Sequence, residues 1–341
     1  MVRFHEFGGP EVLAYEEVPT PSPGPGEVLV EARAIGVNGV DTTIRRGRLP
    51  VDRPLPLIPG LEMAGTIAAL GDGVEGRRVG DPVLPSFQMW CGTCRACLEG
   101  RQNHCAAVAQ FSVPPWQGTY AEYLVAPSRF LMRLPESLSF EEAATLQVTF
   151  VTAFHAVRSS SGAVEGDTIL VNSAAGGIGD AAVQAAGHLR MKVIAAAGSA
   201  ARLARIDSPA VVAKVDYGSE DLTAAVLDLT GGEGVDAVID CAGGEVLAQS
   251  IGCLRRGGRL VALGAHGGDR VELPLWDLVL RSRALVGSAR GTARDIARVV
   301  ELAGEGALRP RVDGVYPLAR AAAAHERMES RSTLGKLALV P

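Results

Sequence analysis

Lysine is almost missing from this sequence. Of its 33 basic residues only Lys192, Lys214 and Lys336 are lysines, and the arginines are scattered along the chain. With 38 acidic residues the formal net charge is −5. A polyanion partner needs clustered positive charge to displace counterions, so the pattern argues against nucleic acid binding. Long apolar runs are missing too. The N-terminal MVRFHEFGGPEVLAYEE has no continuous apolar core and no small-residue cleavage site, which argues against a signal peptide. No segment reaches the length of a membrane span without charges or clustered glycines. The expectation is a cytoplasmic protein that acts on a small molecule, with no membrane partner.

Cysteine is also sparse, and its distribution is informative. Four of the six cysteines fall in CGTCRACLEGRQNHC at residues 91–105, as Cys91, Cys94, Cys97 and Cys105. In a reducing compartment such a cluster reads as a metal site before it reads as disulfides. Two-residue spacers let successive thiolates converge, and Gly92 and Gly100 supply tight turns. Four thiolates close a tetrahedral shell around zinc and leave no open position, so the ion would be structural. The alternative is a group of reduced cysteines with no metal. His104 adjoins a set already complete and reads as a loop residue. Cys241 and Cys253, isolated in apolar segments, read as core.

A length of 341 residues exceeds one ordinary core and suggests two domains. Residues 168–172, TILVN, read as a strand. SAAGGIG follows at 173–179, then an Ala-rich helical stretch from Asp180. Strand, glycine turn and helix together form a dinucleotide fingerprint, in which backbone N–H groups and a helix N-terminus meet a pyrophosphate. Ala174 replaces the first glycine; Gly176, Gly177, Ile178 and Gly179 complete the turn. Strands at 192–197, 213–217, 235–242 and 259–264 alternate with helices from Ser199, at 221–230 and at 245–254. This alternation predicts a doubly wound parallel sheet. The second strand ends in Ala197, Gly198 and Ser199, with no acid to bind a ribose 2′-hydroxyl. Ser199 and Arg202 suit a 2′-phosphate, with Lys192 and Arg205 nearby in sequence, so NADPH is expected; the alternative is that Arg202 is an exposed helix residue. Tyr217 and Gly264, at the ends of later strands, are further cofactor candidates.

Several segments together resemble the medium-chain dehydrogenase/reductase superfamily over essentially the whole chain. They are GVNGVDTTIRRG (36–47), IPGLEMAG (58–65), VGDPV (79–83), the cysteine lobe, GTYAEY (118–123), GDTILVNSAAGGIG (166–179) and GKLALV (335–340). The resemblance implies an α/β chain with two domains. A GroES-like, β-rich substrate domain would take residues 1–149 and 290–341, and a Rossmann domain residues 150–289. It also implies an active site in the cleft between them. The zinc-dependent alcohol dehydrogenases of the superfamily hold a catalytic zinc through positions occupied here by Asn38, Leu61 and Val148. Leucine and valine cannot bind zinc, and asparagine is a poor substitute for thiolate. The structural zinc lobe is kept while the catalytic ligands are lost. GVNGVD is similar to the zinc-independent quinone oxidoreductase and enoyl reductase branch, whose members typically lack the four-cysteine lobe.

Without a Lewis acid, conjugate reduction is the easier chemistry. Hydride reaches the β-carbon of an enone and charge spreads into an extended enolate, whereas an isolated carbonyl concentrates charge on one oxygen. The expected activity is NADPH-dependent reduction of an activated C=C bond or a quinone. A carbonyl reductase or alcohol dehydrogenase using protein donors, or a non-catalytic dinucleotide-binding scaffold, remain alternatives. Asn38 is the candidate that orients substrate or donates to the developing oxyanion; the competing reading is a loop-capping asparagine. Asp41 and Thr43 complete the candidate catalytic set. Glu62 reads as structural support. Gln88, Met89 and Trp90 are candidates for the mouth of the cleft, and Trp116 for a cap, with ordinary packing favoured for both tryptophans. Loops 43–57 and 110–118 are expected to shape the pocket. The family's strand near ALVGSA (284–289) often pairs across a dimer, which implies a homodimer.

Overall fold

The computed structural model describes residues 1–49 and 54–341. Residues 50–53, part of a loop expected to shape the pocket, lie outside the described residues. The chain forms two compact units, Met1–Val148 with Val300–Pro341, and Thr149–Val299. The chain returns to the first unit at Val300, inside the helix Ala293–Gly304, and not at 290.

The first unit is built on a seven-stranded sheet. Its central strand, Glu27–Val37, pairs antiparallel with Glu62–Leu70, Tyr123–Pro127 and Lys336–Val340. Pro82–Pro85 and Leu131–Arg133 extend one side, and Val312–Pro317 lies parallel to Lys336–Val340 on the other. A strand covered on both faces reads as a near-continuous apolar run, and VLVEARAIGV does so, with Val28, Val30, Ile35 and Val37 fully buried. Met63, Ile67, Leu124, Leu337 and Leu339 pack with them. The register sets Gly36 opposite Glu62 and Val37 opposite Leu337. It therefore brings Asn38, which follows the central strand, to the same sheet end as Glu62 and Lys336.

The second unit is a six-stranded, all-parallel sheet. Its order is Val211–Asp216, Lys192–Ala197, Thr168–Val171, Val235–Asp240, Leu254–Ala262 and Ala284–Gly287. In chain order these strands are 3-2-1-4-5-6, the doubly wound arrangement whose switch point lies beside the first strand. Leu170, Ile194, Val215, Val238 and Leu260 form its core with Leu222 and Ile251 from the covering helices. The expected alternation holds, with shifted ends. The fifth strand begins at Leu254, earlier than 259, and the preceding helix is Gly244–Gly252. Leu254 is fully buried opposite Val235, and a register irregularity with Gly257 at φ +73° carries the chain on to Arg259. Burial at that position outweighs the helical pattern read from sequence. Ser199 and Asp221 each cap the helix that follows, accepting from the N–H of Arg202 and Ala224. Among the described residues no helix is long and apolar enough to cross a membrane.

Candidate functional site

The cysteine lobe is assembled by one short segment. Gly92 and Gly100 take positive φ, +85° and +75°, and turn the chain back on itself as the spacing requires. The sulfurs of Cys91 and Cys105 lie 3.6 Å apart, and the pairs Cys91–Cys97 and Cys94–Cys105 lie 3.9 Å apart. All four ligand atoms fall within 4.8 Å of one another. Zinc–sulfur bonds of about 2.3 Å place tetrahedral ligands about 3.8 Å apart, so the donor set fits a closed zinc shell. Backbone amides of Thr93 and Cys94 pull the Cys91 thiol down to about 6, which favours the thiolate a metal needs. His104 lies in the turn Gln102–His104, outside the sulfur set.

The second cluster is drawn from distant segments. Asn38 is the N-cap of the helix Gly39–Arg45, and its backbone N–H donates to Asp41 Oδ2 at 2.9 Å. Its side chain also reaches across the sheet end. Asn38 Nδ2 donates to Glu62 Oε1 at 3.0 Å, and Lys336 Nζ donates to Asn38 Oδ1. Lys336 Nζ pairs with Glu62 Oε1 at 2.9 Å, and the backbone N–H of Val148 donates to Glu62 Oε2 at 2.8 Å. Glu62, read from sequence as support, is the hub of the cluster, and its cation is a lysine. Asn38, Glu62 and Lys336 are all at least 95% buried. Of the three positions that the resemblance aligns with catalytic zinc ligands, Leu61 is a buried aliphatic side chain and Val148 offers only its backbone N–H. The third, Asn38, turns its oxygen to an ammonium. These positions offer one amide oxygen, and the adjoining Glu62 carboxylate is already paired with Lys336, so the set lacks the thiolate and imidazole donors that a catalytic zinc takes.

A glycine makes the approach possible. A methyl group at Gly36 would sit 2.2 Å from the carbonyl of Ala144 and 2.7 Å from Glu62 Oε1. Behind Asn38 runs a buried polar chain. Tyr120 Oη donates to Asp41 Oδ2 at 3.3 Å and lies 2.9 Å from His325 Nε2. Arg45 donates to His325 Nδ1 at 3.0 Å and to the carbonyl of Gly8 at 3.2 Å, and pairs with Glu329. An arginine only donates, so His325 Nδ1 is the acceptor and the proton sits on Nε2. Burial pushes Asp41 up to about 7, against the lowering effect of the Asn38 amide and Lys336. Burial and the Arg45 charge hold His325 down to about 3, and burial raises Tyr120 well above its usual range. Asp41 Oδ1 is buried with no hydrogen-bond partner among the described residues.

Tyr120, Lys336, Arg45, His325 and Glu329 were not singled out from sequence. Lys336 left a signal: a lysine in an apolar strand of a chain with three lysines. The other sequence candidates in this unit are more ordinary. The Thr43 hydroxyl donates to the carbonyl of Gly39 at 3.1 Å. Gln88 and Met89 are buried. Trp90 meets Phe130 edge-on at 4.8 Å, and Trp116 meets Phe111 edge-on at 6.5 Å. Both tryptophans pack against the core, although Trp116 also walls a cavity of about 420 Å³ with Met1, Ile58, Pro114 and Pro115.

In the second unit the glycine turn follows the strand Thr168–Val171. The helix after it starts at Gly177, ahead of Asp180, and its first intrahelical bond runs from Asp180 N–H to Gly176 C=O. The amides of Gly177, Ile178 and Gly179 are therefore free of intrahelical partners, an arrangement that receives a phosphate. A methyl group at Gly179 would lie 2.2 Å from the carbonyl of Ser173, so only glycine lets the helix pack onto the turn. Ala174 is buried and donates its N–H to Ala196. Tyr217 lies over Gly198, and its hydroxyl is 3.2 Å from that of Ser173. Ser199 and Arg202 share the first turn of one helix at the carboxyl end of Lys192–Ala197. Lys192 heads that strand, about 17 Å away, and does not join them. Gly264 lies just past Leu254–Ala262, packed against the Cys241 carbonyl. Cys253 is fully buried, as expected of a core cysteine, and burial also raises the Cys241 thiol.

Two family models match the chain. They are the alcohol dehydrogenase GroES-like domain, over residues 24–136, and the zinc-binding dehydrogenase domain, over residues 210–339. A quinone oxidoreductase from Sus scrofa is 30% identical, with 99% of this chain and 97% of that protein covered. The crystal structure of an NAD-dependent alcohol dehydrogenase superposes with a TM-score of 0.93 at 36% identity, covering 100% of this chain and 99% of the other. A mycobacterial structure complexed with NADPH gives a TM-score of 0.82 at 31% identity, with 100% and 99% covered. The sheet topologies, the glycine turn and these relatives lead to one conclusion: the chain belongs to the medium-chain dehydrogenase/reductase superfamily, with a GroES-like unit and a Rossmann-type unit.

Proposed function

We propose that this protein is an NADPH-dependent reductase that delivers hydride to an activated C=C bond or a quinone without a catalytic metal. The observation that carries the reading is the donor set around Glu62. Asn38, Leu61 and Val148 present one amide and two aliphatic side chains, and Lys336 already supplies the local positive charge. A dication would have to displace that ammonium from Asn38 Oδ1 and the Glu62 carboxylate, a set with no thiolate or imidazole, which disfavours a Lewis acid for an isolated carbonyl. An enone or quinone spreads the arriving charge onto an oxygen remote from the hydride, where a single amide donor suffices.

When bound, NADPH supplies the hydride. The free amides of Gly177, Ile178 and Gly179, beside Ala174 and Gly176, would hold its pyrophosphate, and Ser199, Arg202 and Tyr217 its 2′-phosphate. Gly264 leaves room near the nicotinamide end of the sheet. Asn38 orients the substrate oxygen, while Asp41 holds the Asn38 backbone and Thr43 braces the helix start. The four cysteines hold one structural zinc.

NADPH consumption with an enone and with its saturated ketone, chelator present, tests the reading. Consumption with the enone alone is expected. Equal consumption with the saturated ketone would replace it by carbonyl chemistry, the reading favoured by the likeness to an NAD-dependent alcohol dehydrogenase. Failure with both and with quinones would favour the scaffold. Arg202→Ala should weaken NADPH more than NADH; equal weakening removes Arg202 from the 2′-phosphate site.

The reading includes a homodimer. Ala284–Gly287 is the last strand of its sheet, and the helix Leu275–Arg281 just before it exposes Leu275, Trp276, Val279 and Leu280. An open strand edge beside exposed apolar side chains suits a second copy. Light scattering should give twice the chain mass, and Leu285→Lys a monomer.

A further inference from the structure

The orientation of an asparagine amide is set by what its two ends face. Here both ends face groups of fixed character. An ammonium can only donate, so the atom of Asn38 beside Lys336 Nζ must be the oxygen. A carboxylate can only accept, so the atom 3.0 Å from Glu62 Oε1 must be the nitrogen. The flip is thus decided by chemistry, and the reverse orientation would set N–H against N–H and oxygen against oxygen. Glu62 is itself held on three sides, by Lys336, by Asn38 and by the Val148 amide. Asn38 Nδ2 carries two hydrogens and meets one acceptor among the described residues, Glu62 Oε1. Its second hydrogen is left over.

We propose that Lys336 is a positioning residue: with Glu62 it locks the Asn38 amide so that the remaining Nδ2 hydrogen faces the substrate oxygen and is polarised as a donor. A cationic hydrogen bond at Oδ1 draws electron density from the nitrogen and strengthens donation from it. The ammonium thus acts on the developing oxyanion through the amide. The substrate side of this inference rests on the reductase reading above; the locked amide does not.

The test is a double-mutant cycle in kcat with an enone and NADPH, joining Lys336→Met and Asn38→Ala. Lys336→Met should lower kcat by about 100-fold, the scale of one lost oxyanion donor, with NADPH affinity unchanged. In the Asn38→Ala background the same change should cost less than about threefold, because the lysine has nothing left to position. Lys336→Arg, which keeps the charge, should recover much of the rate. Equal losses in both backgrounds would overturn the proposal and leave Lys336 merely structural. Lys336→Met strands the Glu62 charge, so Glu62→Gln with Lys336→Met serves as the folded counterpart and should show the same kcat loss. A second readout is independent of activity. The Asn38 side-chain amide signal, identified by its loss in Asn38→Ala, should show slow hydrogen exchange and move to free-asparagine shifts in Lys336→Met. An unmoved signal would overturn the lock. If wild type reduces neither enone nor quinone while the amide signal moves as expected, the reductase reading falls and the lock stands.

Discussion

The cysteine lobe and the Asn38 cluster are both small polar constellations in the same unit, and they are built in opposite ways. The lobe takes four ligands from 15 consecutive residues, and its chemistry survives in the spacing alone. The Asn38 cluster joins residues 24, 274 and 298 positions apart, and no local pattern announces it. The lobe suits one cation held by four thiolates. The cluster balances a buried carboxylate with a side-chain ammonium. Local spacing thus assembles a set of thiols that could hold a metal, while the other cluster is a hydrogen-bonded ion pair.

Breaking the lobe should have the largest effect. Cys97→Ser should release the zinc and destabilise the unit by about 4 kcal/mol or more, read as zinc content and melting temperature together. Retained zinc with an unchanged melt would mean the thiols hold no metal. In the cluster, Glu62→Leu should remove about 3–5 kcal/mol, because it strands the Lys336 ammonium in a buried site. A loss below about 1 kcal/mol in denaturant titration would show that the pair is solvated. Gly36→Ala should lose about 1–3 kcal/mol, since the added methyl meets the Ala144 carbonyl and Glu62. A neutral result there would mean the sheet end yields easily and the cluster is loosely held.

The smallest effect is a pH dependence. Between 3.8 and about 7 the unfolded Asp41 carboxyl has lost its proton while the folded one keeps it, so Asp41 makes stability fall as pH rises through that window. His325 acts in the other direction. It is protonated below 6.5 when unfolded but neutral down to about 3 when folded, so its contribution falls as pH drops through that range. Asp41 faces Lys336, Glu62 and Tyr120, and His325 faces Tyr120 and Arg45, so the two effects oppose each other within one buried chain. Asp41→Asn should leave the His325 slope unmasked, and the variant should lose more melting temperature than wild type between pH 6.5 and 4. Parallel curves would show that Asp41 does not titrate as its burial requires.

Much of the fold was legible because it is local. The βα alternation from Thr168 to Ala262 and the glycine turn each act within a few residues. The strand at Leu254 was misplaced because its burial opposite Val235 is a property of the sheet and not of the segment. Asn38 was found by its position in a motif, and Glu62 was named without its partner. Tyr120, His325 and Arg45 were missed because a single polar residue reads the same in sequence whether it faces water or a buried chain.

By itself, the sequence determined the spacing of the four cysteines, the glycine turn after Thr168–Val171, the lack of an acid just after Lys192–Ala197 and the identities of Asn38, Leu61 and Val148. These are identities and short-range spacings, and backbone geometry converts them directly into local structure. Only the tertiary structure decided that Lys336 meets Asn38 and Glu62. That meeting depends on antiparallel register between strands far apart in the chain, where a shift of one residue would turn Lys336 to the other face of the sheet.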